Sequence, residues 1–530
     1  MAVLKLSTPG VYVQEIPTFP PSVAEVETAI PAFIGYTEKA ARLVAGDLLM
    51  LPTKIESFSE YKQLFGGAMN ETAASVTIGV TDHGSNQFDV GFTYTASARS
   101  KFNLYYSMLH FFDNGGGTCY IVSVGTYSTD SHEIAAFGSM ITTVGNGASG
   151  TGIDHVLIEY GLDRVKDIDE VTLLAVPESA WAGTAGDPTT GYNTIVQKMI
   201  GQAFELKDRF AIIDPYKVTP KAGGFPSGDI DNDVAIIRTA DSLDTEHNSY
   251  AAAYYPRLIT TYEYSYDIPN LVISSIALDA GAAPSLASAV VANNGDPAHV
   301  PPIPPTAYTV PANLLLSHFS VGSVFYNSVR DALKTQHITL PPSPAIAGLY
   351  TSVDANKGVW KAPANEPLLS VVAPSIDVSN RQQESLNIDP TTGKSINVIR
   401  TFPGFGTLVW GARTLNGNDN EWRYISVRRF FNMVEESIKK STQLFVFAPN
   451  TIDTWVKVQA MIENYLLLKW KQGALAGVKP EQAFYVKVGL GTTMTSMDVL
   501  AGVMNVEIGM AVARPAEFIV LTFKQILQQS

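Results

Sequence analysis

The chain has 530 residues, of which 46% are hydrophobic and 16% charged, with a formal net charge of −14 and a pI near 5.1. So long and apolar a chain exceeds one hydrophobic core and predicts two or three globular domains, while its acidic balance argues against sequence-independent binding to nucleic acid, which relies on Lys and Arg contacts to phosphate. The single cysteine, Cys119, excludes an intrachain disulfide and fits synthesis in a reducing compartment.

In chain order, Met1 to Gly10 carry one lysine and no apolar run of the length a secretory signal needs, so no such signal is expected. Val11, Tyr12, Val13, Gln14, Glu15 and Ile16 read as a strand, and the Pro-rich stretch Pro17 to Pro21 reads as an extended linker after it. Ala29 to Tyr36 form the next strand-like run. Ile55 to Gly67 give a strand end, a serine cap and a short helix stopped by glycine. Leu104, Met108, Leu109 and Phe112 have helical spacing, Asn114 to Gly117 end that helix, and Cys119 to Val124 begin a buried strand. Val171 to Pro177 and Phe210 to Asp214 are further buried strands, and Ile195, Met199, Ile200 and Phe204 share a helix face between them. The middle of the chain therefore reads as an α/β layer structure.

The longest apolar stretch, Leu271 to Ala292, is broken by Ser274, Ser275, Asp279 and Pro284 and does not qualify as a membrane span. Proline clusters at 301 to 311 and 341 to 344 bracket a helix-like piece, Phe319 to Leu333. The second cluster marks the expected domain boundary. Beyond it Trp422 to Lys440 and Thr451 to Trp470 read as helices, the second capped by Asn450 or Thr451, with Leu444 to Phe447 as a short strand between them. Phe484 to Leu490 and Val503 to Val512 alternate as strands. Pro515 interrupts, and Phe518, Ile519, Val520, Leu521, Thr522 and Phe523 form a final strand that is apolar on both faces. Such a strand is an aggregation hazard unless paired. Two apolar, β-prone ends suggest segments that pair with neighbouring chains.

No catalytic constellation emerges. Gly393-Lys394-Ser395 has the tail of a phosphate-binding loop, but Ile388 stands where its first glycine is required, which favours a polar turn. Gly115 to Gly117 lie after a helix and before a strand, the reverse of a phosphate cradle. Ser437 with Lys440 matches Ser-x-x-Lys, as does Ser59 with Lys62, which shows how little that pattern specifies. The eight histidines never approach metal-ligand spacing, and the acidic stretch Asp163, Asp167, Asp169 and Glu170 lacks the ladder of a calcium loop. Cys119 reads as core packing. No cofactor is expected.

One segment is more distinctive. Ala347-Gly348-Leu349-Tyr350, Asp354, and then Lys357, Gly358, Val359, Trp360, Lys361, Ala362, Pro363, Ala364 and Asn365 closely resemble the motif of contractile tail sheath proteins, the family found in contractile phage tails, R-type pyocins and extracellular contractile injection systems. Pro9 to Ile16, Phe33 to Glu38, Phe65 to Gly67, Asn114 to Gly116, Asn432 to Ile438 and Ala513 to Phe518 also resemble family features. Lys357 stands where the family often has Arg, and the stretch from Asn70 to Ser100 and the Pro-rich piece near 301 look particular to this chain, so both are expected on an outer, variable surface.

The resemblance implies a structural subunit, not an enzyme, that polymerises as stacked, sixfold rings around an inner tube protein, with baseplate and terminator or cap proteins as further partners. It implies no nucleic acid and no membrane anchor, with assembly in the bacterial cytoplasm as part of a phage tail or a released particle. The expected fold is a multidomain α+β and α/β chain. Residues 1–22 would be an N-terminal arm, 23–344 an inserted outer α/β region in two parts (about 23–100 and 101–344), 345–514 a core domain of two helices on a small mixed sheet, and 515–530 a C-terminal arm. Val11 to Ile16 and Phe518 to Phe523 would be arms that add strands to neighbours. Arg428, Arg429, Lys439 and Lys440 are candidates for an electrostatic seam with the inner tube, against the plainer reading of a solvated helix face. The rival readings are another self-assembling structural subunit, such as a shell or adhesin, and a soluble α/β hydrolase.

Overall fold

The computed structural model describes residues 23–72, 76–94, 100–127, 153–182, 189–216, 230–240, 242–286, 310 and 314–521, which divide into two compact units. The larger takes residues 27–432 and 514–521, and the smaller takes 23–26 and 433–513. The expected N-terminal strand Val11 to Ile16, together with Thr522 and Phe523, lies outside the described residues.

The strands, numbered in chain order, are β1 Pro31–Thr37, β2 Thr53–Ile55, β3 Val76–Gly84, β4 Gln87–Tyr94, β5 Cys119–Thr126, β6 Leu173–Ala175, β7 Phe210–Ile213 and β8 Ala251–Tyr255. They continue with β9 Leu258–Glu263, β10 Val272–Leu278, β11 His337–Leu340, β12 Val371–Pro374, β13 Ile396–Phe402, β14 Gly406–Trp410, β15 Phe484–Val488 and β16 Val506–Met510.

The larger unit is built on an eight-stranded sheet in the order β14-β13-β8-β7-β6-β1-β5-β2. The run from β13 to β5 is parallel, and β14 and β2 lie antiparallel at the edges. Crossover helices cover both faces of a parallel sheet, so its strands are continuous apolar runs. Accordingly Pro31–Thr37, Phe210–Ile213 and Ala251–Tyr255 are buried at every residue. Ala32, Ile34 and Tyr36 share one core with Leu157, Ile195, Met199 and Ile237 from the helices His155–Lys166, Thr190–Leu206 and Ile230–Ala240. Phe33 belongs to the other, with Tyr61, Phe65, Phe111, Ile346 and Tyr350 from the helices Phe58–Phe65, Leu104–Asp113 and Ser343–Lys357.

Local signals place several of these elements. The Ser57 hydroxyl accepts from the Glu60 N–H at 3.2 Å to open the Phe58–Phe65 helix, and Gly66, at φ 87°, ends it. Gly348 has a tertiary reason. A Cβ there would lie 2.5 Å from the Phe111 carbonyl oxygen, so glycine is what allows the helices Leu104–Asp113 and Ser343–Lys357 to approach so closely.

The boundary expected after Pro344 is corrected. Ser343–Lys357 is a single helix buried in the larger unit, with Pro344 in its first turn, where no intrahelical N–H is needed. Beyond that helix β13 and β14 still belong to the eight-stranded sheet, through the parallel pairing of β13 with β8. Residues 23–100 and 101–344 do not separate either. β3 and β4 join β10 in a three-stranded sheet, where Val76, Ile78 and Val80 pack with Ile273, Ile276, Phe325 and Val329. A third sheet is ordered β11-β9-β12. β10 lies within the long apolar stretch from Leu271, and among the described residues no helix is long and apolar enough to cross a membrane.

The smaller unit contains the end of the helix Ile425–Thr442, the helix Ile452–Lys471, the short helices Pro480–Ala483 and Ser496–Leu500, and the antiparallel pair β15 and β16. Its small sheet is thus, among the described residues, antiparallel and not mixed. Trp455, Val458, Ile462 and Leu466 form the buried stripe of the Ile452–Lys471 helix. Instead of the expected strand at Leu444 to Phe447, the preceding helix tightens into a 3₁₀ turn, Gln443–Phe445, and Leu444 and Phe447 are 75% and 102% exposed. β-prone residues with no sheet beside them form no strand.

Replacing Gly348 with alanine forces apart two helices of the larger unit. We expect Gly348→Ala to cost about 1–3 kcal/mol of stability, read as a lower urea midpoint with an unchanged denaturant slope.

Candidate functional site

Open parallel sheets bind ligands outside the C-terminal ends of their strands, where the strand order reverses. Here the reversal falls between β1 and β6. The helix N-terminus at that point, which would suit a phosphate, is filled by the chain's own Glu178. One carboxylate oxygen accepts from the N–H groups of Asn103 at 2.8 Å and Leu104 at 3.1 Å, and the other from Tyr36 at 2.8 Å. Burial nevertheless pushes the Glu178 carboxyl up to about 8 against those three donors. Beyond β7, Asp214 accepts from the Ser343 N–H at 2.7 Å and the Ser343 hydroxyl at 2.5 Å, and burial pushes it up to about 7. These carboxyls hold the starts of two helices.

The other chemical candidates are likewise committed to structure. Burial raises the Cys119 thiol well above its ordinary value, the opposite of what a nucleophile needs. Lys394 donates to the Arg238 carbonyl at 2.9 Å, and Asp389 closes the turn before it by accepting from the N–H groups of Thr391 and Thr392. The Ser437 hydroxyl donates to the Met433 carbonyl at 2.6 Å and accepts from the Val26 N–H at 3.1 Å, while Lys440 lies 3.6 Å from Glu436. In the acidic stretch Asp163 pairs with Lys198 and Glu170 with Lys54.

The Trp360 motif turns the chain from a buried helix to a sheet edge. Gly358, at φ 88°, ends the Ser343–Lys357 helix, and a Cβ there would strike the Trp360 ring, which meets Phe430 edge-on at 6.3 Å. Lys357 pairs with Glu366, Val359 and Pro363 are buried, and Lys361 donates to the Ala362 carbonyl. Asn365, at φ 57°, begins a run along the outer edge of β14, with the Asn365 N–H on the Val409 carbonyl at 2.7 Å and the Leu368 N–H on the Thr407 carbonyl at 3.0 Å.

Two of the four basic residues expected on the tube-facing surface are buried instead. Arg428 is 3% exposed, lies 4.0 Å over the Trp422 ring and 4.5 Å over that of Tyr250, and donates to Asn432 at 2.9 Å. Arg429 is 4% exposed and pairs twice with Asp354, at 2.6 and 3.0 Å, while donating to the Thr28 carbonyl at 2.9 Å. Local sequence placed these cations on a helix; their partners, hundreds of positions away or on other elements, placed them inside. Lys439 and Lys440 remain nearer solvent, and both lie against Glu436.

What remains open is backbone. β15 and β16 pair as strands only with each other among the described residues, and two strands alone are marginal; on the outer side of β15 the Val486 carbonyl accepts from the Gln459 side chain at 3.2 Å, which leaves β16 the more open edge. The C-terminal segment is the counterpart. Phe518, Ile519, Val520 and Leu521 belong to no strand or helix and are 70%, 80%, 86% and 72% exposed. Immediately before them Glu517 is held by Arg413 and by the Tyr424 hydroxyl at 3.3 Å, a clamp that no local spacing announces because its partners are 104 and 93 positions apart.

A model of the phage tail sheath C-terminal domain matches residues 417–526, the stretch that carries both features. The chain is 29% identical to the helical sheath of the anti-feeding prophage in its contracted state, with a TM-score of 0.55 over 98% of this chain and 99% of that one. It is 27% identical to the sheath of an extracellular contractile injection system, PVC, also contracted, with a TM-score of 0.55 over 98% of both chains. Residues 417–526 thus match a phage tail sheath C-terminal domain, and nearly the whole chain is similar to contractile sheath proteins. The tail sheath protein of Enterobacteria phage T4 is 27% identical over 133 residues, 24% of this chain and 19% of that protein, so only about a fifth of that curated relative's length is matched. These relatives are structural components of phage tails or extracellular contractile particles.

Removing Asp354 leaves the buried Arg429 cation without its carboxylate. We expect Asp354→Ala to cost about 3–5 kcal/mol by chemical denaturation, against less than about 1 kcal/mol for Lys439→Ala. Glu178 and Asp214 bind protons more tightly in the folded state than in the unfolded one, so folding takes up protons between their unfolded and folded pKa values and stability falls as pH rises through that window. The urea midpoint should therefore decline from about pH 4 to about pH 8, and decline less in Glu178→Gln.

Proposed function

We propose that this chain is the structural subunit of a contractile sheath, a helical homopolymer of stacked, sixfold rings that encloses an inner tube and contracts to drive it through a target envelope. One observation carries the reading. An exposed apolar segment, Phe518 to Leu521, follows the body of the chain, while the two-stranded sheet of β15 and β16 keeps an edge, on the β16 side, able to receive a strand. Arms exchanged between neighbours satisfy both, and Val11 to Ile16 serve as the second arm. Backbone ladders then hold the lattice together while rigid bodies turn.

On this reading the stroke needs no nucleotide or metal. The extended lattice is a trapped state, and contraction releases free energy by burying surface between subunits. The subunit performs no catalysis; the carboxyls at the strand ends and the Ser437 hydroxyl already hold structure in place. Baseplate and terminator or cap proteins bound the polymer, which assembles in the bacterial cytoplasm and works in a phage tail or a released particle. Of the four basic candidates for the tube seam, Lys439 keeps the most exposed side chain and is retained for that role.

Negative-stain electron microscopy of the expressed chain tests the reading. Tubes of stacked rings are expected, whereas flat arrays or fibres would point to another structural subunit. Deleting Met1 to Ile16 or Phe518 to Ser530 should leave a folded protein, with unchanged far-ultraviolet circular dichroism, that no longer polymerises. Normal tubes from both deletions would rule out the exchanged arms.

A further inference from the structure

The C-terminal arm is fixed at one point. Arg413 is 3% exposed, and its guanidinium donates from Nε to one Glu517 oxygen at 2.9 Å and from Nη2 to the other at 2.5 Å. The remaining Arg413 nitrogen, Nη1, donates to the carbonyls of Asn387 at 3.2 Å and Gly417 at 3.3 Å. Its main chain is held as firmly, since Asn397 accepts from the Arg413 N–H at 2.8 Å and donates to the Arg413 carbonyl at 2.8 Å. Gly411 makes room for this, because a Cβ there would come within 2.7 Å of the Asn397 side-chain oxygen. A bidentate Arg–carboxylate pair defines orientation as well as proximity. Here it defines both for a residue directly followed by four exposed apolar ones.

In a strand, successive side chains alternate between faces, so a shift of one residue exchanges the whole set. Once the arm is a strand, Phe518 and Val520 fall on one face and Ile519 and Leu521 on the other. We infer that Arg413 and Glu517 form a register clamp, which fixes the length of chain from the body of the subunit to the first arm residue and so decides which face the arm presents to a second copy of this chain. The inference rests on the exchanged-arm reading and adds to it the positioning pair. Residues before the clamp become a spacer, and residues after it become the measured strand.

Single-residue insertions separate the two roles. One glycine inserted between Arg514 and Pro515, upstream of the clamp, should leave tubes intact by negative-stain microscopy and pelleting. One glycine between Glu517 and Phe518 should abolish them, and two residues at that place, which restore the face, should recover tubes in part. Circular dichroism and thermal melts like those of the parent chain show that each variant folds. If both single insertions are tolerated, or both abolish tubes alike, the clamp does not set register. If deleting Phe518 to Ser530 leaves tubes normal, the arm reading itself fails, and the insertions say nothing against it separately.

Discussion

A strand leaves half of its backbone hydrogen-bonding groups to whatever lies beside it, and the two units of this chain meet that demand in opposite ways. In the larger unit the edges are managed within the chain. β14 is lined by the run from Asn365 to Leu368, and β2 at the other edge is only three residues long. In the smaller unit β15 and β16 form, among the described residues, a sheet of two strands only, and at the end of the larger unit Phe518 to Leu521 are exposed and apolar. The edges of the large sheet are met within the chain, whereas on the proposed reading the small sheet is completed by a neighbour's arm.

The larger unit is also finished electrostatically. Arg429 is neutralised by Asp354, Arg413 by Glu517, and Arg428 lies among aromatic rings. Breaking any such buried pair is expensive. The crevice at the strand-order reversal, where doubly wound enzymes place a ligand, is closed by Glu178. The carboxyl groups at the strand ends, Glu178 and Asp214, hold the starts of two helices.

The Trp360 motif belongs to the same account. Its glycine, indole and positive-φ asparagine carry the chain from the Ser343–Lys357 helix to the β14 edge, so a motif recognised by resemblance has a mechanical meaning in the structure. The chain's similarity to sheath proteins over nearly its full length agrees with this, because an edge so covered is a property of the whole sheet and not of one loop.

Much was legible in the sequence because it depends on near neighbours. The strands Phe33–Tyr36, Cys119–Val124 and Phe210–Ile213 read as unbroken apolar runs, the Ser57 cap and Gly66 stop lie within one helix length, and the double-faced apolar arm at Phe518 is visible from four residues. Where long-range pairing decides, the reading failed or stopped. The prolines at 341 to 344 look like a domain boundary until β13 is seen paired with β8, and β3 and β4 look like a separate segment until β10 joins them. Arg428 and Arg429 look like a basic surface, and Glu517 like one more residue of a tail. Sequence by itself determined most of the strands and helices and the apolar character of Phe518 to Leu521, since local periodicity and composition set those. Only the tertiary structure decided which charges are buried, which edges stay open and where the arm is pinned, because each of those depends on groups that the chain brings together from scores or hundreds of positions apart.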